Sequence, residues 1–101
     1  TISGSGPAYV FYLIEQLTAA AKHQGFSDAD AALLVNETFL GASSLLVAEG
    51  KTPEALRKQV TSPNGTTERA IARMSETDLQ KMFIEATDAA LARAKELAAG
   101  K

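Results

Sequence analysis

Cysteine and tryptophan are missing from this chain, and histidine occurs once in 101 residues. Without thiols there is neither a disulfide framework nor a thiolate metal site. The single imidazole, His23, lies in the polar segment Lys22-His23-Gln24 ahead of Gly25, a helix-end position where a solvated side chain is the simpler reading. A His-based catalytic triad within the chain would have to run through it. Charge of one sign is lacking too: ten basic and twelve acidic residues are mixed along the sequence, for a net charge of −2. No basic face invites nucleic acid, and that partner is not expected. No run approaches the roughly 18 apolar residues of a membrane span, and no signal peptide is evident, so the expectation is a soluble, cytoplasmic protein.

Strand signals are also absent, since no segment alternates with period two. Glycine and proline fall at plausible helix ends or, for Gly41, in one helix interior. Length fits one domain with a modest core, which association would help to stabilise. The chain starts at Thr1-Ile2 without methionine and runs at once into Ser3-Gly4-Ser5-Gly6-Pro7. This reads as an interior junction, and the expectation is a fragment of a longer protein.

What is present is helical periodicity. Ser5 or Gly6 can cap a first helix with Pro7 at its first position, where a missing N–H costs nothing. Ala8-Tyr9-Val10-Phe11-Tyr12-Leu13-Ile14 is then apolar on every side, so one flank meets the chain's own core and the other a second copy or a second domain. A central helix wrapped by its own neighbours is the competing explanation. Gly25 closes this helix. Ser27-Asp28-Ala29-Asp30 is a capping box for a long amphipathic helix carrying Leu34, Val35, Phe39, Ala42, Leu45 and Leu46, ended by Gly50. Gly41 in its middle costs up to about 1 kcal/mol against alanine, a loss that close approach of another helix would offset. Thr52-Pro53-Glu54 starts a short third helix with Leu56 and Val60. Arg57 and Lys58 in its last turn suit the helix dipole. Ser75-Glu76-Thr77-Asp78 is a capping signal for a final, alanine-rich helix. The expected fold is all-α, a bundle of about five helices, two of them short.

Turn residues, hydroxyls and bare amides concentrate in Val60-Thr61-Ser62-Pro63-Asn64-Gly65-Thr66-Thr67. Pro63 stops the third helix, Asn64 and Gly65 both tolerate positive φ, and a new helix begins near Thr66. Free N–H groups and the dipole make its start a seat for a small anion. The bland alternative is a plain helix cap. A nucleotide triphosphate fits poorly, because the loop lacks the Gly-Lys-Ser/Thr ending of a phosphate loop. Asn64-Gly65-Thr66 and Asn36-Glu37-Thr38 match glycosylation acceptors, weakly, since nothing points to secretion.

Ser3-Gly4-Ser5-Gly6-Pro7-Ala8-Tyr9, followed about fifty residues on by Val60-Thr61-Ser62-Pro63-Asn64-Gly65-Thr66-Thr67, resembles the C-terminal domain of pyrroline-5-carboxylate reductase. The resemblance covers essentially residues 1–101 and includes Glu54, Leu56 and Arg57 ahead of the loop. It implies a single helical dimerisation and substrate-loop domain, with an N-terminal Rossmann domain for NADPH or NADH absent from this chain, which alone should be inactive. The implied reaction reduces 1-pyrroline-5-carboxylate to L-proline, the last step of proline biosynthesis. Amides around Gly65, Thr66 and Thr67 would hold the substrate carboxylate, and Thr67 would place its hydroxyl near the ring nitrogen, orienting the imine or relaying a proton. Ser62 and Pro63 would shape the turn, with Asn64 beside the substrate. Two positions depart from the family pattern: Asn64 stands where a first glycine is usual, and Gln59 where an asparagine contacts the cofactor. The implied partner is a second copy in an intertwined homodimer, or a larger ring of such dimers. Two other readings stay open, a helical interaction module without catalysis and the helical domain of another Rossmann-linked dehydrogenase. No metal is implied.

Overall fold

The computed structural model describes residues 1–101. Five helices and no strand make it all-α, as the periodicity indicates: α1 Gly6–His23, α2 Asp28–Glu49, α3 Pro53–Gln59, α4 Thr66–Ser75 and α5 Leu79–Ala98. Their boundaries follow local chemistry. Ser27 Oγ accepts from Asp30 N–H at 3.2 Å and Thr52 Oγ1 from Ala55 N–H at 3.1 Å, so α2 and α3 start on side-chain oxygens. At α5 the cap is Asp78, whose carboxylate accepts from Lys81 N–H at 2.9 Å. Ser75, grouped with it by the sequence pattern, instead ends α4 and donates its hydroxyl to Ala72 O.

The chain divides into two compact units. In the unit Gly6–Leu56, α1 packs along α2. Gly25, at φ 108°, ends α1: its N–H bonds Lys22 O and the next N–H, of Phe26, reaches back to Ala21 O. That pairing is the Schellman closure that glycine permits. Phe26 and Ala21 then join Leu17 and Leu34 in lining an apolar groove between the two helices. Thr18 and Thr38 hide their hydroxyl protons on the carbonyls of Ile14 and Leu34, each at 2.7 Å, so both sit on largely apolar helices without a stranded donor.

The second unit comprises Thr1–Ser5 and Arg57–Lys101. Both halves of the spaced motif therefore contribute to it, Ser3-Gly4-Ser5 from one end and the loop after α3 from the other. It contains α4 and α5 and buries no residue fully. Along α5, Met82, Phe83 and Leu97 remain exposed.

Burial is the feature that most needs explaining. Ala31, Val35 and Leu56 are the whole buried core. The surface is 8035 Å² for 10.6 kDa. A folded monomer of that mass exposes about 5,500 Å², which leaves a surplus of about 2,500 Å². Phe11 and Tyr12 on α1 are 64% and 62% exposed, in line with the flank expected to need covering.

On α2 the single apolar face read from the sequence is only half the pattern. Leu33, Leu40 and Val47, on the side away from Ala31 and Val35, are apolar as well and lie open. By length and composition α2 is even apolar enough to cross a membrane, and little of it is buried. The sequence has no unbroken apolar run here, because small polar residues such as Ser43 and Ser44 interrupt it while scarcely lowering its hydropathy.

Candidate functional site

The loop between α3 and α4 is built from the backbone outward. Thr61 ties the end of α3 down twice, its N–H to Lys58 O at 3.2 Å and its hydroxyl to Arg57 O. Ser62-Pro63-Asn64-Gly65 then forms a β-turn closed by Gly65 N–H on Ser62 O at 3.1 Å. Asn64 has φ 60°. Proline at the second position and a left-handed residue at the third define a type II turn, which asparagine enters at small cost. The expected survival of the turn without the family's first glycine is therefore what the backbone displays.

Gly65 works differently from the sequence expectation. Its φ is −88° with ψ −179°, an extended conformation open to any residue, so positive φ is not why glycine stands here. A Cβ at this position would lie 3.2 Å from Ser62 O and 3.5 Å from Ser62 Cβ. Close approach of the turn to itself is the reason. The turn also removes Gly65 from the donors expected to hold a carboxylate, since its N–H already serves Ser62 O.

The donor set accordingly moves on by one residue. Gly65 is the N-cap of α4 and has no side chain with which to cap it. The first N–H that turns back into the helix is that of Arg69, on Gly65 O at 3.4 Å. The N–H groups of Thr66, Thr67 and Glu68 are thus left without protein acceptors, as the geometry of any helix start requires unless a cap intervenes. Glu68 was missed as a donor by sequence reasoning. The signal was available: a Ser-Pro-Asn-Gly turn engages its fourth N–H, which shifts the free set towards the helix. The Glu68 carboxylate, in the first turn, opposes the anion preference that the dipole gives this end.

Of the other residues picked from the sequence, Ser62 contributes its carbonyl and its Cβ to the turn, Thr66 and Thr67 open α4, and all are near the surface. Gln59 is the last residue of α3 and precedes the turn in the chain, whereas Thr67 follows it. A concavity of 860 Å³ lies elsewhere in this unit, at the corner between α4 and α5, lined by Arg57, Met74, Glu76 and Asp78 among others. It contains none of the loop residues. No strand leads into a glycine-rich helix start, so the Rossmann fingerprint is not among these residues.

Bare apolar helix faces in one unit, and in the other a proline turn that opens an uncapped helix, fit an association domain that also presents main-chain donors. The chain belongs to the pyrroline-5-carboxylate reductase dimerisation family, whose model matches residues 1–97. It is 41% identical over 97 residues to a pyrroline-5-carboxylate reductase of Pseudomonas aeruginosa, covering 96% of this chain and 36% of that protein. Identity to pyrroline-5-carboxylate reductase 2 of Bacillus subtilis is 38% over 96 residues, or 95% of this chain and 34% of the relative. Among solved structures, a pyrroline-5-carboxylate reductase from Coxiella burnetii superposes with a TM-score of 0.89 at 44% identity, over 92% of this chain and 34% of that one. A pyrroline carboxylate reductase of Plasmodium falciparum, with NADP bound, gives 0.88 at 28% identity, over 94% and 36%. The chain therefore spans about a third of the length of the relatives it matches.

Proposed function

We propose that this chain is the C-terminal dimerisation and substrate-loop domain of an oxidoreductase that reduces 1-pyrroline-5-carboxylate to L-proline. A nucleotide-binding domain outside these residues would hold NADPH or NADH and supply the hydride. The chain on its own would be inactive. The observation that carries the reading is the open start of α4, with three adjacent N–H groups unclaimed behind a rigid type II turn. A small carboxylate accepts such donors with charge-assisted hydrogen bonds, which are stronger than neutral ones. Thr66, Thr67 and Glu68 supply those donors, and Ser62 with Asn64 holds them in register. The Thr67 hydroxyl orients the imine nitrogen, which is positioning chemistry. Gln59 would contact the cofactor from the end of α3.

The partner is a second copy. A surplus of about 2,500 Å² per chain, or about 5,000 Å² over two copies, is on the scale of the total area of large obligate interfaces and well above the ~800 Å² per partner of a standard complex. Covering it requires no nucleic acid and no membrane.

Kinetics of the full-length protein on 1-pyrroline-5-carboxylate test the site. Thr67→Ala is expected to lower kcat/KM by about 5- to 150-fold, the equivalent of about 1–3 kcal/mol for a lost buried hydrogen-bond partner. Thr67→Ser should recover most of it. Unchanged kinetics for Thr67→Ala would remove the hydroxyl from the mechanism.

A further inference from the structure

Leu33, Leu40 and Val47 are 60%, 62% and 85% exposed and lie seven residues apart. That spacing stacks them in one narrow stripe along α2, on the side opposite Ala31 and Val35. In the unit that contains α2, nothing covers this stripe. The stripe is centred on Leu40, near the middle of the helix, and its two ends are equally far from that centre.

We propose that α2 crosses the α2 of a second copy in antiparallel sense, with Leu40 at the two-fold axis. The inference rests on the dimer reading above and specifies its geometry. An isologous contact must present the same patch twice. About an axis at Leu40, Leu40 meets its own counterpart, and Leu33 meets Val47 of the second copy at both ends. Shifting the register by one heptad strands an apolar residue at each end. A parallel arrangement would set Glu37 against Glu37, whereas the antiparallel one brings Glu37 beside Ser43 and Ser44 of the second copy, where no like charge faces it.

Gly41 adds an independent reason for a crossing at this point. A glycine in a helix interior is unfavourable by roughly 0.5–1 kcal/mol relative to alanine. Nothing in the chain explains it, because a Cβ built there meets no atom within 4 Å. With Ser43 and Ser44 it makes α2 slender beside Leu40, which allows another helix to come close.

The test places single cysteines in the full-length protein; this chain has none of its own. Leu40→Cys is treated with a short bis-maleimide, the unsubstituted protein serving as the control, and light scattering reports the oligomer in parallel. The expected result is a near-complete covalent dimer from Leu40→Cys. Leu33→Cys should cross-link poorly alone and readily when mixed and refolded with Val47→Cys. A dimer by light scattering in which none of these cross-links forms overturns the crossing and leaves the dimer reading intact. Cross-linking of Leu40→Cys to Phe83→Cys in a mixed sample would assign the stripe to α5 of the second copy and also overturn it. A monomer that sediments with phosphatidylcholine vesicles would give the stripe to lipid and overturn both readings. Gly41→Ala provides a second arm: it should weaken the dimer at least tenfold, whereas a helix face with no neighbour would accept the alanine and gain stability.

Discussion

At α2, α3 and α5 a side-chain oxygen from Ser27, Thr52 or Asp78 meets the third N–H of the helix, while at α4 the same position is held by Gly65, which has nothing to offer. All four starts leave first-turn N–H groups without intrahelical acceptors, and the difference lies in what fills the place of the third. A serine, threonine or aspartate cap contributes typically about 1 kcal/mol over alanine, whereas glycine in that place falls short by only a few tenths, because water reaches the amides. An open start is therefore cheap to maintain. It can stand ready for a carboxylate without strain, and the turn behind it fixes where the donors point.

The largest effect should come from erasing the difference. Gly65→Ser gives α4 a hydroxyl of its own to occupy the N–H of Thr67 or Glu68, and kcat/KM of the full-length protein should fall by about 10- to 150-fold, the equivalent of about 1.5–3 kcal/mol for hydrogen bonds to a charged group. The fall should be mainly in KM. Gly65→Ala carries the same Cβ towards Ser62 O without the oxygen and separates crowding from capping. If alanine does as much damage as serine, the steric fit of the turn explains the glycine and the contrast between the helix starts loses its functional meaning.

The converse change is a milder one. Ser27→Ala strips the cap from α2, and it should reduce stability by about 1 kcal/mol in chemical denaturation with kcat/KM unaltered. Activity lost in parallel with stability would mean that the two regions are not independent, and that a helix start remote from the loop is coupled to the chemistry.

Much of this contrast could be read in the sequence, and the parts that could not have identifiable causes. Ser27 and Thr52 were legible as caps because each stands three residues ahead of the N–H it receives. Asp78 was legible only as one member of a four-residue signal, since Ser75 and Asp78 both fit the pattern and only the backbone decides which one begins the helix. The turn at residues 62–65 was recognisable from Pro63 and Asn64. That Gly65 N–H is consumed by it, so that Glu68 rather than Gly65 is the third donor, follows from turn geometry and not from residue type. Leu33, Leu40 and Val47 are obscured in the sequence for a different reason. The stronger stripe containing Leu34 and Val35 satisfied the helical period, and a helix that is apolar on two sides does not register as a departure from amphipathicity until the first side is seen to be covered.

Asn64 provides the finest probe and the smallest expected effect. Its φ of 60° costs an ordinary residue about 1–2 kcal/mol, but asparagine far less, and glycine would relieve the remainder while loosening the unfolded chain by a comparable amount. The two contributions oppose each other, so Asn64→Gly should change stability by under ~0.5 kcal/mol. If the side chain serves the turn alone, kcat/KM should also stay within about twofold, and Asn64→Ala should lose about 1 kcal/mol of stability because alanine has neither advantage. A shift of tenfold or more for the glycine variant, at unchanged stability, would instead place the Asn64 amide in the carboxylate seat. The open start of α4 would then owe part of its selectivity to the one loop residue that departs from the Gly-Gly pattern.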